Sequence, residues 1–258
     1  QKSGGGRLRA IWLPSENFKI DTSIGYEYSD EGGYAYGAVD KETGITGPIQ
    51  SDTEGAYRRG VFHAGVQMEY QATPFIISSV TGYQNLDDRM LMDQDFSPAS
   101  VYVLEQKQQL NSYSEELSLK SHAGRNWQWV TGAFLSYQHL NTQSPVHFQK
   151  EGMAMLDKMI NGYLPDLEAQ NMKMSVQLNS ESLPIDTRFG TPTWSMALFH
   201  QSTFNHLFVK GLSFTLGLRL DHERMSMRYF SESQLGHKIT YSSPRMPIEL
   251  KDKDAHSM

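Results

Sequence analysis

Residues 212–221 alternate apolar and polar side chains without a break, and this stretch constrains the fold more than any other part of the chain. A period of two is typical of a β-strand with two unlike faces. Leu216, Leu218 and Leu220 would share one face, and Arg219 would lie on the other. The leucine face would contact a second sheet in a soluble sandwich, or lipid in a transmembrane barrel.

The composition excludes several kinds of partner and site. A net charge of −6 without a cluster of Lys and Arg argues against nucleic acid as a partner, because neutralising phosphates requires a concentrated basic surface. The absence of Cys excludes a disulfide scaffold and a thiolate metal site. No apolar run approaches the roughly 18 residues of a membrane helix. A chain that is 38% hydrophobic and 11% aromatic suits long polar loops joined to strands with interfacial aromatics.

Similar alternation recurs along the chain and predicts about eight strands. They are expected at residues 7–13, 18–29, 57–70, 75–84, 107–120, 127–140, 193–204 and 212–230. The connections after the first, third, fifth and seventh strands are short, and the others are long. In an antiparallel up-and-down sheet, this order places all long loops at one end, as in transmembrane barrels. Soluble sandwiches mix loop lengths at both ends.

The predicted long loops lie at about residues 30–56, 85–105, 141–192 and 230–258. Residues 151–163 in the third loop are expected to form a short helix, since Met155 and Met159 fall near one face. Residues 230–258 carry no predicted strand beyond the end of the eighth.

Aromatic residues are predicted to form two girdles at the two ends of the strands. Those near the short turns are Trp12, Phe18, Tyr70, Phe75, Trp127, Trp129, Phe204 and Phe214, and those near the long loops are Tyr26, Tyr28, Tyr83, Tyr137 and Tyr229. Arg219 should point away from lipid, since exposure there would cost roughly 2–4 kcal/mol. Glu115 falls on the lipid-facing side and opposes the pattern. The predicted fold class is all-β, an antiparallel up-and-down transmembrane β-barrel segment of about eight strands with long loops on one side.

Four segments carry a resemblance to a known family. Residues 79–84 (SVTGYQ), 116–119 (ELSL), 127–134 (WQWVTGAF) and 216–221 (LGLRLD) resemble, in this order, barrel strands of TonB-dependent outer-membrane receptors. The resemblance implies a bacterial outer-membrane location and active uptake of a scarce nutrient, such as an iron chelate. It also implies a barrel of about 22 strands with a plugged lumen.

The partners that this resemblance implies are outer-membrane lipid, a small-molecule nutrient such as a metal chelate, the remainder of the receptor with its plug domain, and the TonB energy-coupling protein acting through that missing part. Residues 1–258 are then expected to form one partial β-barrel domain, an internal segment without the plug and terminal strands.

Two other architectures stay open at this point. A self-closed outer-membrane barrel of eight strands, with an adhesion or binding role, would require hydrogen bonds between the first strand near Arg9 and the last near Leu218. A soluble β-rich enzyme or carbohydrate-binding domain would collect its polar residues in a cleft.

No catalytic constellation, cofactor or metal site is predicted, and we do not expect an enzyme. His222 lies between Asp221 and Glu223, but neighbours on a strand point to opposite faces. Tyr34 and Tyr36 are weak ligand candidates, since their rings could stack on an aromatic iron chelate or a sugar.

His147 is a third weak ligand candidate, in the methionine-rich loop at 141–192. Imidazole and thioethers suit copper, although methionines more simply pack a short helix. The aspartates at positions 87, 88, 93 and 95 lack the spacing of a calcium loop and are expected to be solvated.

Overall fold

Long antiparallel strands form most of the computed structural model, which describes residues 1–33, 36–164, 173–206 and 209–242. In chain order the elements are β1 (Lys2–Ser15), β2 (Phe18–Gly32), β3 (Gly37–Val39), β4 (Thr46–Ile49), β5 (Ala56–Gln71), β6 (Ile76–Asp93), β7 (Tyr102–Lys120), β8 (Trp127–Gln143), β9 (Val146–Phe148), α1 (Lys150–Gly162), β10 (Lys173–Leu178), β11 (Leu183–Asn205), β12 (Ser213–Met225), β13 (Arg228–Ser233) and β14 (His237–Ser242). The predicted all-β class is confirmed.

The main sheet follows the chain in up-and-down order. Its strands lie in the order β1-β2-β5-β6-β7-β8-β11-β12, and each neighbouring pair is antiparallel. β9 continues the line of β8 between β7 and β11, and β13 continues the line of β12 along β11. The prediction of about eight antiparallel strands is therefore confirmed.

The two ends of this sheet do not meet. Within the described ranges, β1 pairs with β2 alone and β12 pairs with β11 alone. The hydrogen bonds near Arg9 and Leu218 that a self-closed eight-stranded barrel requires are not formed. In the described ranges the sheet is open at β1 and β12, which contradicts the alternative of a self-closed eight-stranded barrel.

The strands extend farther toward the long loops than predicted. β6 ends at Asp93 and β7 begins at Tyr102, so the loop expected at 85–105 shortens to 94–101. β11 begins at Leu183, and β13 and β14 occupy part of 230–258. The strands are longer than predicted because backbone hydrogen bonding between strands does not require alternating apolar residues. Polar cross-strand pairs also stabilise these extensions, as when Asn85 Nδ2 donates to Asn111 Oδ1 at 3.0 Å.

The long-loop end contains a small core of its own. Val103, Met153 and Leu183 are buried there, where α1 follows β9. α1 approaches the backbone closely at Gly152, where an added Cβ would lie 2.1 Å from the Val101 carbonyl oxygen. The predicted helix is confirmed within one residue at each end. Its methionines differ in burial: Met153 is buried, whereas Met155 and Met159 are exposed.

Candidate membrane-facing belt and loop-end cavity

One face of the main sheet is apolar across its width. Directly paired residues of antiparallel strands share a face, so the register places Leu198 beside Leu220 and Ala133. We call this surface the apolar belt; it comprises Trp12, Ile20, Met68, Leu117, Leu135, Met196, Leu198, Leu216, Leu218 and Leu220. Leu198 is 63% exposed and Leu218 75% exposed. No second sheet covers the belt in the described parts of the chain, which argues against a soluble sandwich.

Two rows of aromatic side chains border the apolar belt on the same face. The row toward the long loops contains Tyr83, Tyr113, Tyr137 and Trp194. The centroid distances are 4.8 Å for Tyr83 and Tyr113 and 4.4 Å for Tyr137 and Trp194. The row toward the short turns contains Trp127 and Phe204, stacked with centroids 6.4 Å apart, and Phe214 paired with Phe204.

The separation of the two rows matches the thickness of a membrane. Tyr137 and Trp127 lie on β8, ten residues apart. Ten residues extend about 33 Å along a strand. At the usual tilt of a transmembrane strand, this gives a height of about 25 Å, which is that of the apolar band of outer-membrane barrels.

The opposite face of the sheet is polar and carries ion pairs. Arg219 lies there, as predicted, with Nε 2.9 Å from Asp221 Oδ1 and its guanidinium 5.9 Å from the centre of the Phe199 ring. On the same face, Lys120 Nζ lies 3.0 Å from Glu69 Oε2. Asp221 and Glu223 share this face and His222 lies on the other, so the three residues do not converge.

Glu115 is the exception on the apolar side, and the structure accounts for it. It pairs with Thr81 across β6 and β7 and stands beside Leu135. Ser79 Oγ and Thr81 Oγ1 donate to its two carboxylate oxygens at 2.6 and 2.5 Å. Both acceptor oxygens are thus satisfied by the neighbouring strand, which reduces the cost of placing a carboxylate in the belt.

The ligand candidates from the sequence are only partly described, and they do not form one site. Tyr34 lies outside the described residues. Tyr36 is exposed, and its ring centroid lies 4.7 Å from that of Phe96. His147 is half-buried on β9, paired with Val103 on one side and Pro184 on the other.

A cavity of about 400 Å³ lies at the long-loop end, next to the pair formed by Tyr36 and Phe96. We call it the loop-end cavity. Its walls include Ile49, Asp52, Glu54, Met92, Asp93 and Phe96. Gly33 and Gly55 close one side, where a Cβ on Gly33 would lie 2.3 Å from the Gly55 Cα, so only glycine permits this approach.

Asp93 organises the wall of the loop-end cavity at the end of β6. Its Oδ1 accepts hydrogen bonds from the backbone N–H groups of Asp95 at 3.1 Å and Phe96 at 3.2 Å. This turn holds Phe96 at a φ of 53°, in the left-handed region. Burial and the charge of Asp95 raise the pKa of the Asp93 carboxyl above its ordinary value, and Asp52 contributes in the same direction. The expectation that Asp93 is a solvated loop residue is wrong.

Sequence reasoning missed this cavity because its walls come from distant parts of the chain. Residues 49–55 follow β4, whereas Met92 and Asp93 end β6. The one signal in the sequence was the group of aspartates at positions 87, 88, 93 and 95. Of that group only Asp93 is among the described lining residues, because Asp87 and Asp88 lie farther back along β6.

The methionine-rich loop shows no metal centre in its described part. Met153 packs in the small core, Met155 and Met159 are exposed, and Met172 lies outside the described residues. Throughout the described ranges, no three His, Asp or Glu residues are grouped so as to hold a metal ion. No helix in those ranges is long and apolar enough to cross a membrane.

Comparison with known proteins found structural similarity only. No protein-family model matches the chain, and no curated protein sequence matches it. Among solved structures, the chain is similar to the ferric yersiniabactin uptake receptor FyuA from Yersinia pestis, with 12% sequence identity and a TM-score of 0.49. It is also similar to the outer membrane transporter YddB from Escherichia coli, with 10% identity and a TM-score of 0.36.

The two alignments cover nearly all of this chain but a minor part of each structure. They include 99% of the chain and 40% of the first structure, and 93% of the chain and 34% of the second. Identities and TM-scores this low do not support an assignment of the fold. That assignment is based on the order and pairing of the strands in this chain. The chain is thus similar, over less than half of their length, to an uptake receptor and an outer-membrane transporter.

Proposed function

We propose that this chain forms a section of the barrel wall of a bacterial outer-membrane receptor for the TonB-dependent uptake of a scarce nutrient, such as an iron chelate. The observation that supports this most is the apolar belt, exposed on one face and bordered by two aromatic rows about 25 Å apart in height. In water, so large an apolar surface would favour aggregation, whereas lipid would cover it.

The two open edges support the presence of further strands beside this sheet. β1 and β12 each have an unpaired edge over more than ten residues in the described structure. An unpaired strand edge does not persist in the hydrocarbon region, because its N–H and C=O groups have no water to bind there. The remainder of the receptor would pair with these edges. The plug domain and the TonB protein enter the proposal through the resemblance of the strand motifs.

Quenching of tryptophan fluorescence by brominated lipids tests the membrane assignment. All four tryptophans, Trp12, Trp127, Trp129 and Trp194, lie on the face of the apolar belt. In vesicles of brominated phosphatidylcholine, we expect strong quenching of their emission, with little quenching by aqueous acrylamide. The reverse pattern would show that the belt does not contact lipid.

A matched pair of variants makes the same test specific to one face. With the four native tryptophans replaced by phenylalanine, Leu198→Trp places an indole on the apolar belt and Gln201→Trp places one on the polar face of the same strand. The proposal requires bromolipid to quench Leu198→Trp several times more strongly than Gln201→Trp. Equal quenching would contradict it.

A further inference from the structure

The strongest unexplained feature of the molecule is a buried carboxylate oxygen in the wall of the loop-end cavity. Asp93 is 3% exposed, and its Oδ2 accepts no hydrogen bond from the described residues. Buried polar atoms nearly always have a partner, because an unsatisfied acceptor loses its water without compensation. An unpaired acceptor beside a cavity of about 400 Å³ is a place where a donor group of a ligand would bind.

The charge of the loop-end cavity indicates the sign of that ligand. Asp52, Glu54 and Asp93 line it, and none of its described lining residues is Lys or Arg. The resulting negative potential attracts cations and repels carboxylate or phosphate groups. An anionic ligand would add a like charge next to a carboxylate that is already desolvated, whereas a positively charged donor would both fill the hydrogen bond and gain from the potential.

The remaining walls favour an organic cation over a metal ion. Ile49, Met92 and Phe96 provide apolar and aromatic surface, and a cation near an aromatic face gains cation–π attraction. The described residues offer no group of three His, Asp or Glu side chains with the geometry of a metal site. The volume falls within the range of small-molecule sites.

We infer that the loop-end cavity binds an organic ammonium ligand, with its N–H groups donating to Asp93 Oδ2 and its hydrocarbon or aryl part against Phe96. This inference rests on the proposed receptor function, because it names the ligand class of a site among the long loops. In this inference the ammonium group binds first at the carboxylates of the loop-end cavity. Asp52 and Glu54 attract it over a longer distance than Asp93.

Three probes of one shape test the inference by calorimetry on the full chain refolded in detergent micelles: 2-phenylethylammonium, 2-phenylethanol and 3-phenylpropionate. We expect the ammonium to bind at least about tenfold more tightly than the alcohol, since a hydrogen bond between two charged groups is stronger than one from a neutral hydroxyl. The carboxylate should not bind. Equal binding of the ammonium and the alcohol would overturn the inference.

Asp93→Asn and Asp88→Asn form a matched pair of variants. Asp88 is also a buried aspartate of β6, but it accepts a hydrogen bond from Tyr57 Oη at 3.3 Å and does not line the cavity. Asp93→Asn should lower the affinity for the ammonium by about tenfold and leave that for the alcohol unchanged. Asp88→Asn should change neither by more than about twofold. An unchanged affinity in Asp93→Asn would overturn the inference.

Two further measurements keep the outcome interpretable. If Asp93→Asn fails to fold by circular dichroism, the double variant Asp52→Asn/Glu54→Gln replaces it, and a loss of ammonium affinity of about fivefold is expected from the lost potential. Bromolipid quenching, after transfer of the same proteins into brominated vesicles, tests the membrane assignment separately. Quenching without ammonium binding would refute the ligand class alone, and ammonium binding without quenching would refute the membrane assignment alone.

Discussion

The half of the sheet near the short turns and the end that carries the long loops are stabilised in different ways. In the first, the strands from β2 to β12 pair without a shift in register, and large apolar side chains of the belt such as Leu198 and Leu218 are exposed. In the second, the short strands β3, β4 and β9 and the helix α1 join the ends of the long strands, and Val103, Met153 and Leu183 are buried. One half depends on its surroundings to cover its apolar surface, whereas the other makes a small core within the chain.

This difference predicts that substitutions in the two regions lower stability for different physical reasons. A substitution on the apolar belt should change stability through its contact with lipid. A substitution in the small core of Val103, Met153 and Leu183 should change stability through packing within the chain. Polar groups differ in the same way, because neighbours in the belt satisfy Glu115, whereas Asp93 Oδ2 accepts no hydrogen bond from the described residues.

Leu198→Arg should produce the largest effect, because it places a charge at the middle of the belt. We expect a loss of about 2–4 kcal/mol in the free energy of unfolding, measured by urea titration in lipid vesicles. Gln201→Arg, on the polar face of the same strand, should change it by no more than about 0.5 kcal/mol. Similar losses for both variants would show that the two faces do not differ in their surroundings.

Met153→Ala should destabilise the long-loop end alone. A cost of about 2 kcal/mol is expected, at the lower end for a buried methionine because a single helix on the surface can settle into the space. Hydrogen exchange should accelerate in α1 and stay unchanged in β8 and β11. Met155→Ala, at an exposed position of the same helix, is the control and should leave both unchanged.

The hydroxyls of Ser79 and Thr81 should stabilise the chain only through Glu115. The double change Ser79→Ala/Thr81→Val removes both donors and should cost about 1–2 kcal/mol in vesicles. In the Glu115→Leu background the same double change should cost almost nothing, because no carboxylate is left unsatisfied. A double-mutant cycle measures this coupling, and additive effects would contradict the account of Glu115.

Asp93 should give the smallest effect, a pH dependence confined to the long-loop end. Its pKa is raised in the folded chain, mainly by burial, so folding favours the protonated carboxyl. The stability it contributes is complete below the ordinary aspartate pKa of about 3.9 and is lost as the pH rises through the higher folded value. The protection factor of the amides near Phe96, which is corrected for the intrinsic pH dependence of exchange, should therefore decrease over that interval in the native chain and stay constant in Asp93→Asn.

Local alternation made the strands and the faces of their side chains predictable. The opposition of Leu218 and Arg219 follows from a period of two and needs no knowledge of neighbouring strands. The helix at α1 also followed from local spacing, although its buried methionine is Met153 and not Met155 or Met159. The ends of β6, β7 and β11 could not be predicted as well from the sequence. Pairing between polar residues such as Asn85 and Asn111 extends these strands without any apolar pattern.

The binding candidates could be predicted only in part. Tyr36 lies next to the loop-end cavity, but Asp52, Glu54 and Asp93 come together through contacts between loops far apart in the chain. His147 is held between Val103 and Pro184, away from any such grouping in the described residues. A sequence pattern reports how a residue relates to its near neighbours, and a cavity depends on the path of the whole chain.

The sequence by itself determined that this protein contains a sheet of about eight antiparallel strands. It also determined that this sheet has one apolar face and that the long loops lie at one end of its strands. These properties depend on side-chain periodicity and connection length, which act locally. The tertiary structure alone decided that Ser79 and Thr81 satisfy Glu115. It also decided that, among the described residues, β1 and β12 are open edges and Asp93 Oδ2 lies without a partner beside a cavity. Each of these depends on pairing or approach between distant segments, whose geometry is set only when the chain is folded.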